Sequence, residues 1–238
     1  MMKVSPTVSE PMIVDHVVAT VTYKPIRRIY LRVTSATGPV HVSVPRRCPP
    51  AQAESCIREQ IPWIERQQAR LRVHEERMAE LGRRHQILLW GRTYSLEQTV
   101  ATPAAITCVR DRIRCAAPAS TPLEARSQML DAWLRARVEE ALIPLVEHWS
   151  HRLGIAAPKA RVRRMRSRWG SCSLRSRTIT INLELAGRSP ACLEYIVVHE
   201  LLHYVVQPHN TRFYALLDHH LPNWEDARRE LQAPPAGA

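Results

Sequence analysis

Two imidazoles four residues apart, His199 and His203, stand on either side of a short apolar step, with Glu200 directly after the first. On a helix this spacing puts the two rings about 40° apart around the axis and roughly 6 Å apart along it, close enough to converge on one cation. Glu200 then lies on an adjoining face, where a carboxylate can reach a water on that cation without displacing it, which is the geometry a general base needs. The chemistry of such an HExxH string is hydrolysis by metal-activated water, with one Zn2+ as the expected ion. A tetrahedral catalytic site needs a third protein ligand and one open position.

His209 is the leading candidate for that third ligand. Five residues separate it from His203, the interval found in the longer HExxHxxGxxH pattern, although Val206 stands where that pattern has glycine. Pro208 cannot continue a helix and pushes Gln207 out of the α region, so the chain has a means of turning back. Glu225, Asp226, His219 and His220 are the alternatives. Glu194, Asp218, Glu225 and Asp226 are the acids within reach of a ligand's second ring nitrogen. Asn223 and Asp226 also fit a capping box for a last helix, the preferred role for that pair. Tyr204 and Tyr214 are weighed as oxyanion donors against ordinary packing.

The elements that must place these groups follow from periodicity. Ser189-Pro190 reads as a helix start, and Leu193, Ile196, Val197 and Leu201 give that helix an apolar face. Before it come a strand over 178–183, a connection through residues 167–172, and a strand near 160–165. Further upstream, Leu130, Leu134, Val138, Leu142, Leu145, Trp149 and Leu153 recur every three or four residues until Gly154. This is a long amphipathic helix with Pro144 inside it, expected to start at a Thr121 cap with Pro122 in the first turn and Glu124 closing a capping box.

The first half reads differently. Met12 to Tyr23 is expected as one strand, Ile29 to Val33 and Val40 to Val44 as a hairpin, and Ile57, Ile61 and Ile64 as a helical stripe with Pro62 opening a second helix. Residues 86–96 suggest a strand pair around Gly91, and 106–115 a short hairpin. A Pro, Ala, Ser and Thr stretch over 116–122 reads as a linker. The fold class is therefore α+β, divided into a strand-rich region over 1–120 and a catalytic domain over 121–238. No internal repeat is visible, and the tail from Gln232 to Ala238 reads as disordered.

Composition bounds the rest. No apolar run is long enough to span a membrane, and Met1 to Pro11 lacks the pattern of a secretory signal, so a cytoplasmic location is the default expectation. The six cysteines include no CxxC pair, which argues against a zinc ribbon and for reduced, mostly structural thiols. A formal net charge of +12 makes a nucleic acid or acidic protein conceivable as a partner. The cluster Arg161, Arg163, Arg164, Arg166 and Arg168 nevertheless reads first as a solvated strand face.

Several ordered motifs together resemble one family. Arg168-Trp169-Gly170-Ser171-Cys172-Ser173, Thr178 to Asn182, Val198 to His203, His209-Asn210 with Phe213-Tyr214, and Leu221 to Trp224 are similar to the YgjP-like metallopeptidases, bacterial metal-dependent hydrolases with a zincin-like core. Pro62-Trp63-Ile64 and Leu89 to Tyr94 extend the resemblance over nearly the whole chain. The HELxH string with its His-Asn and Phe also looks like the protease domains of SprT-like and Wss-type proteins, which act on proteins crosslinked to DNA.

The resemblance implies His199, His203 and His209 as metal ligands, Glu200 as the catalytic residue, and a peptide or protein as substrate. Residues 168–173 precede the strand that leads to the metal helix, where a zincin presents an edge strand to an extended peptide. Trp169, Gly170, Ser171 and Tyr204 are the candidate substrate-binding residues, with a hairpin turn plugged by a buried tryptophan as the plain alternative. Two further functions stay open: a protease recruited to DNA by its basic surface, and a scaffold with a closed structural zinc, for which Cys172 or His219 would supply a fourth ligand.

Overall fold

Valine alternation builds the first sheet. Val17, Ala19 and Val21 on one strand and Val40, Val42 and Val44 on another are all buried, while the residues between them face outward or are only partly covered. The computed structural model describes residues 9–165 and 168–233. The first eight residues, most of the expected tail, and Arg166 with Ser167 lie outside the described residues.

Two compact units divide the chain, Met1–Glu76 and Arg77–Ala238. The first holds β1 (Ser9–Val14), β2 (Val17–Lys24), β3 (Tyr30–Arg32) and β4 (Val40–Pro45) in the order β1-β2-β4-β3, with β2 and β4 parallel and the outer pairs antiparallel. The single strand expected over 12–23 is a hairpin instead. Asp15, at φ 53°, and His16 form a two-residue loop between Val14 and Val17, a turn whose twist matches that of the paired strands. Helix α1 (Pro50–Glu59) and helix α2 (Ile61–Arg83) follow, and Pro62 falls in the first turn of α2, where no donor is lost. Ile57 and Ile64 complete the core beneath the valines.

The second unit begins with β5 (Gln86–Leu89), β6 (Arg92–Val100), β7 (Ala105–Val109) and β8 (Arg112–Ala117), ordered β5-β6-β8-β7. Its pairing senses repeat those of the first sheet. The repeat is invisible in the sequence because it resides in backbone connectivity. Helix α3 (Leu123–Arg152) carries the expected stripe, with Val138, Leu142, Val146 and Trp149 buried. Pro122 itself is the N-cap, and no side chain caps the end, so the box expected from Thr121 and Glu124 does not form.

Three strands then make a small sheet in the order β10-β11-β9: β9 (Lys159–Arg163), β10 (Gly170–Ser173) and β11 (Thr178–Asn182). The stretch expected as a connection thus contains an edge strand, antiparallel to β11, while β11 runs parallel to β9. A 3-10 turn (Leu183–Gly187) leads into α4 (Pro190–Leu202), followed by α5 (Thr211–His220) and α6 (Trp224–Gln232).

Helix α4 is buried on nearly all sides, including Cys192, Leu193, Ile196, Val197, Val198, Leu201 and Leu202, and it packs against α3, α5, α6, β10 and β11. Such an all-round apolar helix belongs at the centre of a core. No helix among the described residues is long and apolar enough to cross a membrane. All six cysteines are free thiols, and burial pushes the Cys192 thiol up to about 12.

Candidate metal centre

Helix α4 ends at Leu202, so His199 occupies its last turn and His203 its C-cap. The amides of Val205 and Val206 both bond back to the Leu202 carbonyl, folding the chain over before Pro208. Proline therefore does not stop the helix; it shapes the segment that returns. Asn210 then caps α5, its Oδ1 accepting from the Phe213 amide at 3.0 Å, and this fixes the neighbouring His209.

The result is a cluster of three imidazoles. One ring nitrogen from each of His199, His203 and His209 lies within 4.8 Å of the others, and Nε2 of His199 and Nε2 of His209 are 3.0 Å apart. Donors 2.0–2.1 Å from a tetrahedral ion would be separated by roughly 3.3 Å, a spacing the His199–His209 pair nearly has and the widest pair would reach by closing about 1.5 Å at most. Phe213, fully buried and the only phenylalanine in the chain, forms the floor. Its ring centroid is 5.1, 5.2 and 4.8 Å from those of His199, His203 and His209.

Electrostatics favours the ligand form of the histidines. Burial, with His203 and His209 nearby, holds His199 down to about 4. Burial and His209 also lower His203, partly offset by the backbone carbonyls of Val206 and Gln207. Neutral imidazole is the form that donates to a metal.

Glu200 is 6% exposed. Burial raises its carboxyl to about 7, against the opposing pull of the Arg168 guanidinium. No other described residue hydrogen-bonds its carboxylate. It is held by packing against β10: a Cβ added to Gly170 would sit 2.5 Å from Glu200 Oε1 and 2.7 Å from Ile196 Cγ2. Gly170 thus lets the strand approach the helix at the one point where the carboxylate stands.

The other expected site residues are placed as follows. Trp169 is half-buried against the C-terminal core with the Arg188 guanidinium stacked 5.3 Å from its ring centre. Ser171 is half-buried on the opposite face of β10 from Gly170. Tyr204 has a buried hydroxyl without a hydrogen bond of good geometry; burial and the adjacent Cys172 thiol push it up to about 12. Tyr214 stacks on Trp224, and its ring centre lies 6.5 Å from that of His209 in a tilted arrangement.

Three of the four acids considered as partners for the ligands, all but Glu225, are engaged elsewhere. Glu194 accepts from Trp149 Nε1 at 3.0 Å, Asp218 from Trp224 Nε1 at 2.6 Å, and Asp226 pairs with Arg229. Asn223 caps α6 without a side-chain bond, so the box with Asp226 does not form. His199 Nδ1 is buried with no hydrogen-bond partner among the described residues.

The sequence family described as YgjP-like, metallopeptidase domain matches residues 27–233. The chain belongs to this family. A metal ion and a peptide substrate go with membership of the YgjP-like metallopeptidases. Two solved structures are similar in part: the metallopeptidase zymogen of Methanocaldococcus jannaschii jannalysin, 22% identical with a TM-score of 0.35 over 39% of this chain and 86% of that one, and that of Pyrococcus abyssi abylysin, 24% identical with a TM-score of 0.35 over 40% and 90%. No curated protein matches the sequence.

Three supporting residues carry no recognised role in the sequence. Asn182, 3% exposed, accepts from the amides of Met165 and Glu184 and donates to the carbonyls of Met165 and Arg168, anchoring the approach to β10. Glu230 on α6 accepts from both the amide and hydroxyl of Ser189, so the α4 N-terminus is clamped from another helix. Arg188, 5% exposed, donates to the Glu230 carbonyl. Asn before a strand end and Glu in a polar helix look ordinary until the fold supplies their partners.

Proposed function

We propose that this YgjP-like protein is a zinc-dependent peptidase in which His199, His203 and His209 hold one ion and Glu200 is the general base. The convergence of three ring nitrogens beside a buried carboxylate is the observation that carries this reading. Among the described residues no fourth His, Cys, Asp or Glu joins the group, which favours a site with an open position over a closed structural one.

A zinc ion held there would act as a Lewis acid on the scissile carbonyl and lower the pKa of a water in its open position. Glu200 takes a proton from the attacking water and delivers it to the leaving amine, a task suited to a carboxyl whose proton affinity lies near neutrality. The free edge of β10 offers backbone pairing to an extended peptide, with Trp169, Gly170, Ser171 and Tyr204 along its path. In this reading residues 121–238 form the zincin-like catalytic domain, and the strand-rich region over 1–120 is accessory to it.

Zinc content and turnover of a peptide substrate test the assignment together. Glu200→Gln should keep stoichiometric zinc and lose turnover, whereas His209→Ala should lose both. Full activity in Glu200→Gln, or unchanged zinc in His209→Ala, would remove the respective residue from the site.

A further inference from the structure

Of the chain's formal net charge of +12, eight charges come from residues 159–183, which contain seven arginines, one lysine and no carboxylate. This stretch builds the three-stranded sheet beside the metal centre. One face of that sheet is apolar, with Ile179, Ile181 and Val162 buried in the core. The other face carries Ser171 and Ser173 on β10, Thr178 and Thr180 on β11, and Lys159, Arg161 and Arg163 on β9, as the strand registers require.

The cations are largely uncompensated. Arg164 is paired with Asp131 and Glu184, but among the described residues Lys159, Arg161, Arg163, Arg175 and Arg177 form no ion pair, Arg168 feels only the buried Glu200 carboxyl without bonding to it, and all six are exposed. Arg161 gives its Nε to the Thr180 hydroxyl and Arg177 its Nη2 to the Ala156 carbonyl, which fixes both side chains on the sheet. Among the described residues Arg168 and Arg175 make no side-chain hydrogen bond. These two flank β10, one just before Gly170 and the other in the turn after Ser173.

We propose that the basic rim of the β10 edge selects acidic polypeptide segments, with Arg168 meeting an acidic side chain near the scissile bond and Arg175 meeting one farther along the same peptide. The inference rests on the peptidase reading above and names the substrate class for that site. Gly170 abuts Glu200, so Arg168 stands next to the reacting position. The span of β10 is about 10 Å, which places the second acidic residue roughly three to five positions away. A peptide is favoured over nucleic acid because both aromatic rings of the rim among the described residues are already covered by arginines: Trp169 is half-buried under Arg188, and Tyr204 packs under Arg177.

Two measurements on the full-length chain decide it. In the first, fluorescein-labelled peptides of equal length, one rich in Glu and its Gln counterpart, are bound to zinc-loaded Glu200→Gln protein and followed by anisotropy. The acidic peptide should bind roughly tenfold more tightly at low salt, and the preference should collapse at high salt. Adding Arg168→Glu and Arg175→Glu should bring the ratio to about one or invert it. Equal binding of the two peptides overturns the proposal, and so does tight binding of a 20-base-pair DNA duplex that the acidic peptide fails to displace.

In the second measurement, wild-type protein digests a mixed peptide library and the cut sites are read by mass spectrometry. Enrichment of Asp and Glu within five residues of the cut supports the proposal; cuts without enrichment refute it. A library left uncut would count against the peptidase reading itself, leaving the binding ratio to judge the acidic preference on its own.

Discussion

Gly170→Ala is the sharpest single perturbation of this arrangement. The three atoms nearest to the new methyl would be Glu200 Oε1 at 2.5 Å, Ile196 Cγ2 at 2.7 Å and Glu200 Cγ at 2.8 Å. Comfortable contacts with carbon lie near 3.5 Å, so strand and side chains must separate by about 1 Å. Ile196 and Glu200 are four residues apart on one face of α4, and both resist the same displacement. Overpacking of this kind costs about 1–3 kcal/mol of stability. A carboxylate misplaced by about 1 Å costs on the order of a hundredfold in kcat. Urea denaturation, zinc content and steady-state turnover of one peptide separate these effects: stability and kcat fall while zinc remains stoichiometric. Adding Ile196→Ala removes one of the clashing atoms, so the double variant should lose less stability than the two single losses combined, with kcat still low because the clash with Glu200 persists. Wild-type kcat in Gly170→Ala would refute the claim that β10 positions Glu200, and recovery of kcat on adding Ile196→Ala would reduce it to general packing.

Two further outcomes follow from burial and hydrogen bonding. Glu200 titrates at about 7 against an ordinary 4.5, so the fold favours its protonated form; that stability is fully present below 4.5 and is lost as pH rises through 7. In metal-free protein Glu200→Gln should therefore be more stable than wild type by about 3 kcal/mol at pH 8, narrowing to about 1 kcal/mol at pH 5.5, as measured by urea denaturation in chelator; an unchanging difference between the two pH values would show that burial does not set this carboxyl. Asn182→Ala strands two amides and two carbonyls that it now serves, and should cost about 3 kcal/mol with faster hydrogen exchange at the Trp169 and Gly170 amides. A loss below half a kcal/mol would mean that water replaces those bonds without penalty.

What the sequence could disclose was governed by the range of the interactions involved. The spacing of His199 and His203 is a local, helical fact, and so are the helix start at Ser189-Pro190 and the stripe on α3; short-range spacing and terminus chemistry make each legible. The hairpin at Asp15-His16 is hidden in the sequence because neither residue is a strong breaker and the apolar alternation runs on through both strands. The Gly-Ser-Cys-Ser sequence of β10 reads as a connection because it has little strand propensity, and pairing with β11 makes it a strand. Thr121 and Glu124 satisfied a capping pattern that Pro122 took over, since several local solutions competed for one helix end. The partners of Asn182, Glu230 and Phe213 lie on other elements, and no local rule reaches them.

The same distinction explains why the reactive groups sit where they do. A buried helix would ordinarily exclude two histidines and a glutamate, because each charged form loses hydration. Here the apolar surroundings of α4 work with the chemistry: they hold His199 in the neutral form that a cation requires, and they lift Glu200 into the range where a proton can be both taken and returned. The fold tolerates this by placing the groups in the last turn, where the helix meets the returning segment with His209 and the edge strand with Gly170. Moving the motif one turn towards Pro190 would keep its spacing but put its first histidine at position 195, where Tyr195 now stacks on Trp224 of α6, and leave only the second beside His209. The position of the motif along α4, as much as its spacing, is therefore what makes the cluster a candidate catalyst.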